Sequence, residues 1–342
     1  MTGHETALGK DPARHLDPRR RQLVEAARDA VLHEPGNGAV GIPEPLRRKI
    51  AALTHRAGGM LEVPVPVPVP VPVSGPVADL PIATEEEVLA YAERMATDPA
   101  SVREQQITSL LEVGLHPSQI VAISQVVGFC AFEARLEAVA TALDEQPGRA
   151  VDEDDLVEAP EDLPHPRTRF AMRGWVGRLP LGGSDEDFPV KDNQKPNDYY
   201  RVLVHDPVSL THRTALYDEL LRGEGASTVE QREMAALSVS LITPCDFCAS
   251  VHGRRHFLAG RDARSSVELD HGGPGAVAEP VQRAIARLGP ALGPARPEVP
   301  TDAVALLRAH GLSDAAIVEI GAVAAMFAWA NRLMTALGDP TD

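Results

Sequence analysis

Cysteine is scarce in this chain, with three residues among 342, too few for the disulfide framework on which small secreted scaffolds depend. Aromatic residues make up only 4%. That shortage, beside abundant Ala, Leu and Val, disfavours sandwiches built from aromatic and β-branched strand faces and favours closely packed helices. Positive charge is short as well: 33 Lys and Arg stand against 49 Asp and Glu, a formal net charge of -16. A nucleic-acid backbone or an anionic membrane surface would be repelled over most of such a molecule. The longest apolar stretch, Ala315 to Ala330, carries Glu319 and is too short to cross a bilayer comfortably. No apolar core of a secretory signal stands near the start, so the expectation is an all-α, globular, cytoplasmic protein.

Composition divides the chain. Residues 1–22 are charged and poor in apolar periodicity, and read as a flexible tail. Residues 23–145 form a first helical domain, interrupted from Val63 to Val73 by strict alternation of Val and Pro. Proline at every second position forbids helix and paired strand, leaving an extended spacer of roughly 34 Å at about 3.1 Å per residue. Residues 146–168 combine a block of acids with prolines and read as a linker. A second domain spans 169–342.

The two domains look like repeats. Gly114 to Leu136 and Gly311 to Leu333 align without a gap at an offset of 197, sharing Gly, Leu, Ile, Val, Ile, Val, Ala, Arg and Leu. Each segment begins with a Gly-Leu turn and continues as a helix apolar on all sides, which marks a buried core helix. A shorter match at an offset of 184 joins Arg48–Thr54 to Arg232–Ser238. Duplicated apolar helices call for a large partner surface, and an oligomer is expected.

Chemistry concentrates in one spaced set, Glu233, Cys245, Cys248 and His252, in the pattern E-x11-C-x2-C-x3-H. Ser227 or Thr228 suits the N-cap of a helix from Val229, with Glu230 or Gln231 as capping-box partner. Glu233 then shares a line with Leu237 and Leu241, where desolvation raises a carboxyl toward a useful base range. Thr243 and Pro244 suit the start of the next helix. On that helix Cys245, Cys248 and His252 fall within a stripe of about 60° at about 100° per residue. A helix N-terminus and a nearby imidazole favour thiolate. Cysteines at i and i+3 can close a disulfide with little backbone movement, so a sulfenic acid on Cys248 would meet its resolving thiol, Cys245, next door.

Zinc held by the same four residues is the competing inference, but structural sites usually draw ligands from two separated pairs. The expectation is therefore no metal and no bound cofactor, the redox-active pair being protein sulfur. Shifting the four positions back by 184 lands on Lys49, Leu61, Pro64 and Pro68, so the first repeat reads as degenerate. Cys130 reads as core packing. Trp329, Asn331 and Arg332 close the second core helix and read as a polar helix end.

The E-x11-C-x2-C-x3-H motif, followed by a Gly-Leu apolar helix closing on W-A-N-R-L, resembles the alkylhydroperoxidase D and carboxymuconolactone decarboxylase superfamily. The second domain is similar to a peroxidase-related alkylhydroperoxidase domain, the first to a cysteine-free carboxymuconolactone-decarboxylase-like domain. The resemblance implies tandem multihelical domains that assemble into trimers or hexameric rings. It implies that Glu233 and His252 relay a proton from Cys248, and that a lipoyl-bearing or other dithiol protein reduces the disulfide. The best-known members carry histidine immediately before the second cysteine, where this chain has Phe247.

The sequence thus supports thiol-dependent reduction of a hydroperoxide or disulfide, with Cys248 attacking, Cys245 resolving, Glu233 as base and His252 as relay. Two alternatives stand beside it: a lactone-decarboxylase-like proton-transfer enzyme, and a non-catalytic subunit whose disulfide alters a partner interface.

Overall fold

Helices that are apolar on every side must lie inside a protein, and the two matching segments form the centre of this one. The computed structural model describes residues 10–32, 41–60, 82–145, 173–183, 197–261 and 263–341; the Val-Pro tract and the acidic linker lie outside them. The first repeat contributes helices α1 (Pro18–Leu32), α2 (Glu44–Ala57), α3 (Ile82–Thr97), α4 (Glu104–Glu112) and α5 (Pro117–Asp144). The second contributes α6 (Asp198–Leu203), α7 (Pro207–Arg222), α8 (Val229–Ile242), α9 (Asp246–Gly260), α10 (Arg264–Gly272), α11 (Pro280–Ala286), α12 (Leu288–Leu292), α13 (Thr301–Ala309) and α14 (Asp314–Leu337). The fold is all-α, relieved by one antiparallel pair, β1 (Gly174–Gly177) with β2 (Gly338–Thr341).

The repeat extends beyond the residues that match in sequence. Moved by 197, α4 lands on α13 with both bounds coinciding, and the start of α5 lands on the start of α14. The turns between them agree in detail. Gly114 and Gly311 take φ of +95° and +87°, a region that costs a side chain and suits glycine. Leu115 donates its N–H to the carbonyl of Leu110, and Leu312 to that of Leu307. Each glycine ends one helix and turns the chain into the core helix that follows.

α5 and α14 run antiparallel in close contact. A Cβ on Gly128 would sit 2.0 Å from Cδ1 of Trp329, and one on Gly321 would sit 2.7 Å from Cγ1 of Val139. The indole N–H of Trp329 donates to Oε1 of Gln125 at 3.0 Å, which satisfies a buried donor inside the crossing. The paired arginines at the ends of the matching segments do equivalent work. Arg135 donates to Ala131 in its own helix and to the carbonyls of Leu292 and Pro294 in the other repeat. Arg332 donates to Ala328 and to Ala96 at the end of α3. Burial pushes the Arg332 guanidinium down to about 10, the cost of placing a cation where carbonyls alone receive it.

One expectation changes here. The stretch 10–22 is packed, not a free tail: Leu16 is buried, and Arg20 reaches Oε1 of Glu319 at 2.9 Å. Its charges look solvated in sequence because their partners are remote, as with Arg14 on Glu137 and Asp144. The core helices also cover each other within one chain, so their apolar surface gives no separate reason for an oligomer. α14 is the one described helix long and apolar enough to cross a membrane, and it is wholly buried in the fold.

The Gly128–Trp329 contact gives a direct test. Gly128→Ala should destabilise the protein by about 1–3 kcal/mol, the cost of overpacking a filled core. Gly275→Ala, where nothing lies within 4 Å, should stay within about 0.5 kcal/mol of the parent. Urea-unfolding midpoints of the two variants decide the matter, and equal midpoints would refute the close approach.

Candidate active site

Local chemistry sets the two helices that carry the motif. Thr228 caps α8, its hydroxyl accepting from the N–H of Gln231 while the Gln231 side chain accepts from the N–H of Thr228. This is the capping box that the sequence predicts. Ser227 is drawn away to Glu319. Glu233, Leu237 and Leu241 are all buried along the expected line.

The bend between α8 and α9 differs from expectation. Thr243 closes α8 and does not cap α9: its hydroxyl donates to the carbonyl of Val239 at 2.8 Å and accepts from Nδ2 of Asn331 at 2.6 Å. Oδ1 of Asn331 lies 3.2 Å from the Ser240 hydroxyl. Cys245 becomes the N-cap, with φ -103° and ψ 90°, and its N–H donates to the carbonyl of Ser240 at 3.0 Å. Asn331, read from sequence as part of a polar helix end, therefore fixes the elbow from which the first cysteine emerges.

Cys245 and Cys248 are both free and buried, near each other but not joined as a disulfide. Burial pushes the Cys248 thiol well above its ordinary value of 9.0, and the neighbouring Cys245 pushes it further. The cations of Arg213 and Arg255 pull the other way without winning. The expected thiolate is thus a resting thiol, because desolvation outweighs the helix terminus.

Glu233 and His252 form the second half of the site. Nδ1 of His252 lies 2.5 Å from Oε2 of Glu233, both side chains being buried. Burial lowers the imidazole below 6.5, aided by Arg255 and opposed by Glu233. A neutral ring that donates from Nδ1–H to the carboxylate carries its lone pair on Nε2. Phe327 packs edge-on against this ring at 4.0 Å between centroids. Among the described residues no hydrogen bond joins His252 to either sulfur. α9 thus carries the thiols and the imidazole, and α8 supplies the carboxylate that holds the ring. Phe247, which holds the position that differs from the best-known members of the resembled family, packs half-buried against the core.

Three groups at the site escaped the sequence. Arg213 on α7 is buried, stands 5.6 Å from the ring centroids of both Tyr199 and Trp329, and forms no hydrogen bond or ion pair among the described residues. The phenol of Tyr199 is buried without a hydrogen-bond partner, and that burial raises it well above its ordinary value. Arg255 donates to the hydroxyl of Tyr217 at 3.0 Å. A signal for Arg213 existed in sequence, since it shares a helical line with Leu210, Leu216 and Leu220, where an arginine is out of place.

Three potential metal-ligand atoms from His, Cys, Asp or Glu gather within 4.8 Å at His55, Cys130 and Glu133. The four motif residues form no such group among the described residues. Cys130 packs in the core as the sequence suggests, and an imidazole and a carboxylate share its surroundings.

No family model matches the chain, and no curated protein matches it either.

The electrostatic description predicts the reactivity of Cys248. Thiolate is the species that alkylates, so in a Cys245→Ser background the alkylation rate should rise with pH to an inflection above 9. Replacing Arg213 by Met removes a cation that favours the thiolate, and should move that inflection higher still. Iodoacetamide trapping across a pH series measures both, and an inflection below 8 would contradict the burial described.

Proposed function

We propose that this protein reduces hydroperoxides through Cys245 and Cys248. One observation supports the reading above others: two free, buried thiols stand at the N-cap and third residue of a helix that carries, one turn on, an imidazole held by a buried carboxylate. In the first step Nε2 of His252 takes the Cys248 proton. The sulfur attacks the nearer peroxide oxygen, an S–O bond forms, the O–O bond breaks, and the departing alkoxide receives the proton. The products are an alcohol and a sulfenic acid.

Cys245 then attacks the Cys248 sulfur. The S–S bond forms, the S–O bond breaks, and water leaves. Two electrons from a dithiol restore both thiols by exchange. Glu233 acts through His252, keeping the proton on Nδ1 and balancing the imidazolium that forms. The family resemblance adds to the proposal a lipoyl-bearing or other dithiol protein as donor, a trimer or hexamer as the working assembly, and the cytoplasm as the compartment where the thiols stay reduced.

Hydroperoxide consumption with dithiothreitol as donor tests the reading. The parent chain should turn over many times, while Cys248→Ser should lose at least about 100-fold, since no nucleophile remains. Cys245→Ser should consume one equivalent and hold a sulfenic acid that dimedone captures. A Cys248→Ser protein that works at the parent rate would sink the assignment. Consumption that stays stoichiometric in the parent with every dithiol tried would instead make the pair a redox switch.

A further inference from the structure

The first repeat lacks the motif of the second, yet it gathers a different set of reactive groups. His55 lies in the last turn of α2, and Cys130 and Glu133 lie one turn apart on α5. The ring nitrogen Nε2 of His55 is 3.2 Å from Oε2 of Glu133. One ligand atom from each residue falls within 4.8 Å of the other two, and all three side chains are buried.

We propose that His55, Cys130 and Glu133 bind one divalent transition-metal ion, zinc in chemical class, in a site separate from the C-x-x-C pair. Imidazole nitrogen, thiolate sulfur and carboxylate oxygen are the donors that zinc accepts. Around a tetrahedral ion with bonds of about 2.0–2.3 Å, neighbouring ligand atoms stand roughly 3.4–3.6 Å apart. The histidine and glutamate already meet that separation. The sulfur must close by an ångström or so at most.

The surroundings also suit an ion. Nε and Nη2 of Arg28 both lie 2.7 Å from Oε1 of Glu133, which turns Oε2 toward the imidazole. A hydrogen-bonded partner on the far oxygen is how ligating carboxylates are generally held in place. Thiolate and carboxylate together neutralise a dication, leaving one positive charge on Arg28 at the edge of the site. The burial that would keep a peroxide or a disulfide away from Cys130 presents no obstacle to a structural ion taken up as the chain folds.

Cobalt(II) tests the site, because a cobalt–thiolate bond has its own charge-transfer absorption. The informative protein is the full chain with both Cys245→Ser and Cys248→Ser, in which Cys130 is the only sulfur of cysteine. After reduction and removal of metal with a chelator, it should bind about one equivalent of cobalt, show the thiolate band, and lose the band when zinc is added. Adding Cys130→Ser or His55→Gln to that background should abolish the band. Absence of the band in the double variant would overturn the proposal, and so would a band that persists after Cys130→Ser. The double variant decides even if Cys130→Ser fails to fold. Because it lacks the thiol pair, its result is independent of whether the chain reduces peroxides.

Discussion

The contact between Gly128 and Trp329 is the constraint from which the rest of the structure follows. Two long helices can approach this closely only where one of them has no side chain, and the indole fills the space that glycine leaves. Trp329 thereby becomes a fixed point, with its N–H bound to Gln125 and one face beneath the Arg213 cation. The residues around it in α14 inherit that precision. Phe327 meets His252, Asn331 fixes the elbow before Cys245, and Arg332 crosses to Ala96 in the first repeat. Little more than one helical turn thus ties the core, the thiol site and the partner repeat together, which explains how a buried site can be positioned without loops of its own.

Burial governs the chemistry as strongly as position does. A desolvated Cys248 resists ionisation, and in the proposed reaction its proton passes to a neighbouring group. That transfer converts a neutral thiol and a neutral imidazole into two charges. Arg213 and Arg255 favour the thiolate half of the product, but Arg255 also disfavours imidazolium. Glu233 answers that conflict, since its carboxylate stands 2.5 Å from Nδ1. The dyad and the arginines are therefore complementary, each stabilising the charge that the other group opposes or does not reach.

The large elements were legible because their signals are local or repeated. All-round apolarity announced α5 and α14, the Gly-Leu pairs announced their turns, and Thr228 with Gln231 announced the start of α8. What stayed hidden depends on partners far along the chain. Arg20 looks like part of a solvated tail until Glu319, 299 positions away, supplies its counter-charge. Thr243 looks like an N-cap until Asn331 takes its hydroxyl. Cys248 looks like a thiolate on helix position alone, because the depth of its burial is a property of the whole fold. The strands β1 and β2 were invisible for a similar reason: glycine-rich ends have little propensity, and the pair forms where Trp175 packs over the end of α14 and donates to the carbonyl of Met334.

One framework, used twice, places cysteine sulfur in two different settings. At the offset of 197 that relates the repeats, Cys130 takes the position of Phe327, the aromatic ring that borders His252 in the second copy. The first copy thus has its thiol on the core helix, while the second has two thiols on a separate helix that follows an elbow. A lone thiol beside an imidazole and a carboxylate has no second sulfur with which to resolve a sulfenic acid, whereas those three donors together match the charge and softness of a transition-metal dication. Two thiols at an N-cap and one turn on have the reverse balance: together they can give two electrons to an oxidant and close a disulfide, while Glu233 is already engaged by its imidazole. The decisive variable between the repeats is therefore which helix carries the sulfur: the core helix α5 in the first, and α9, beyond the turn at Thr243 and Pro244, in the second.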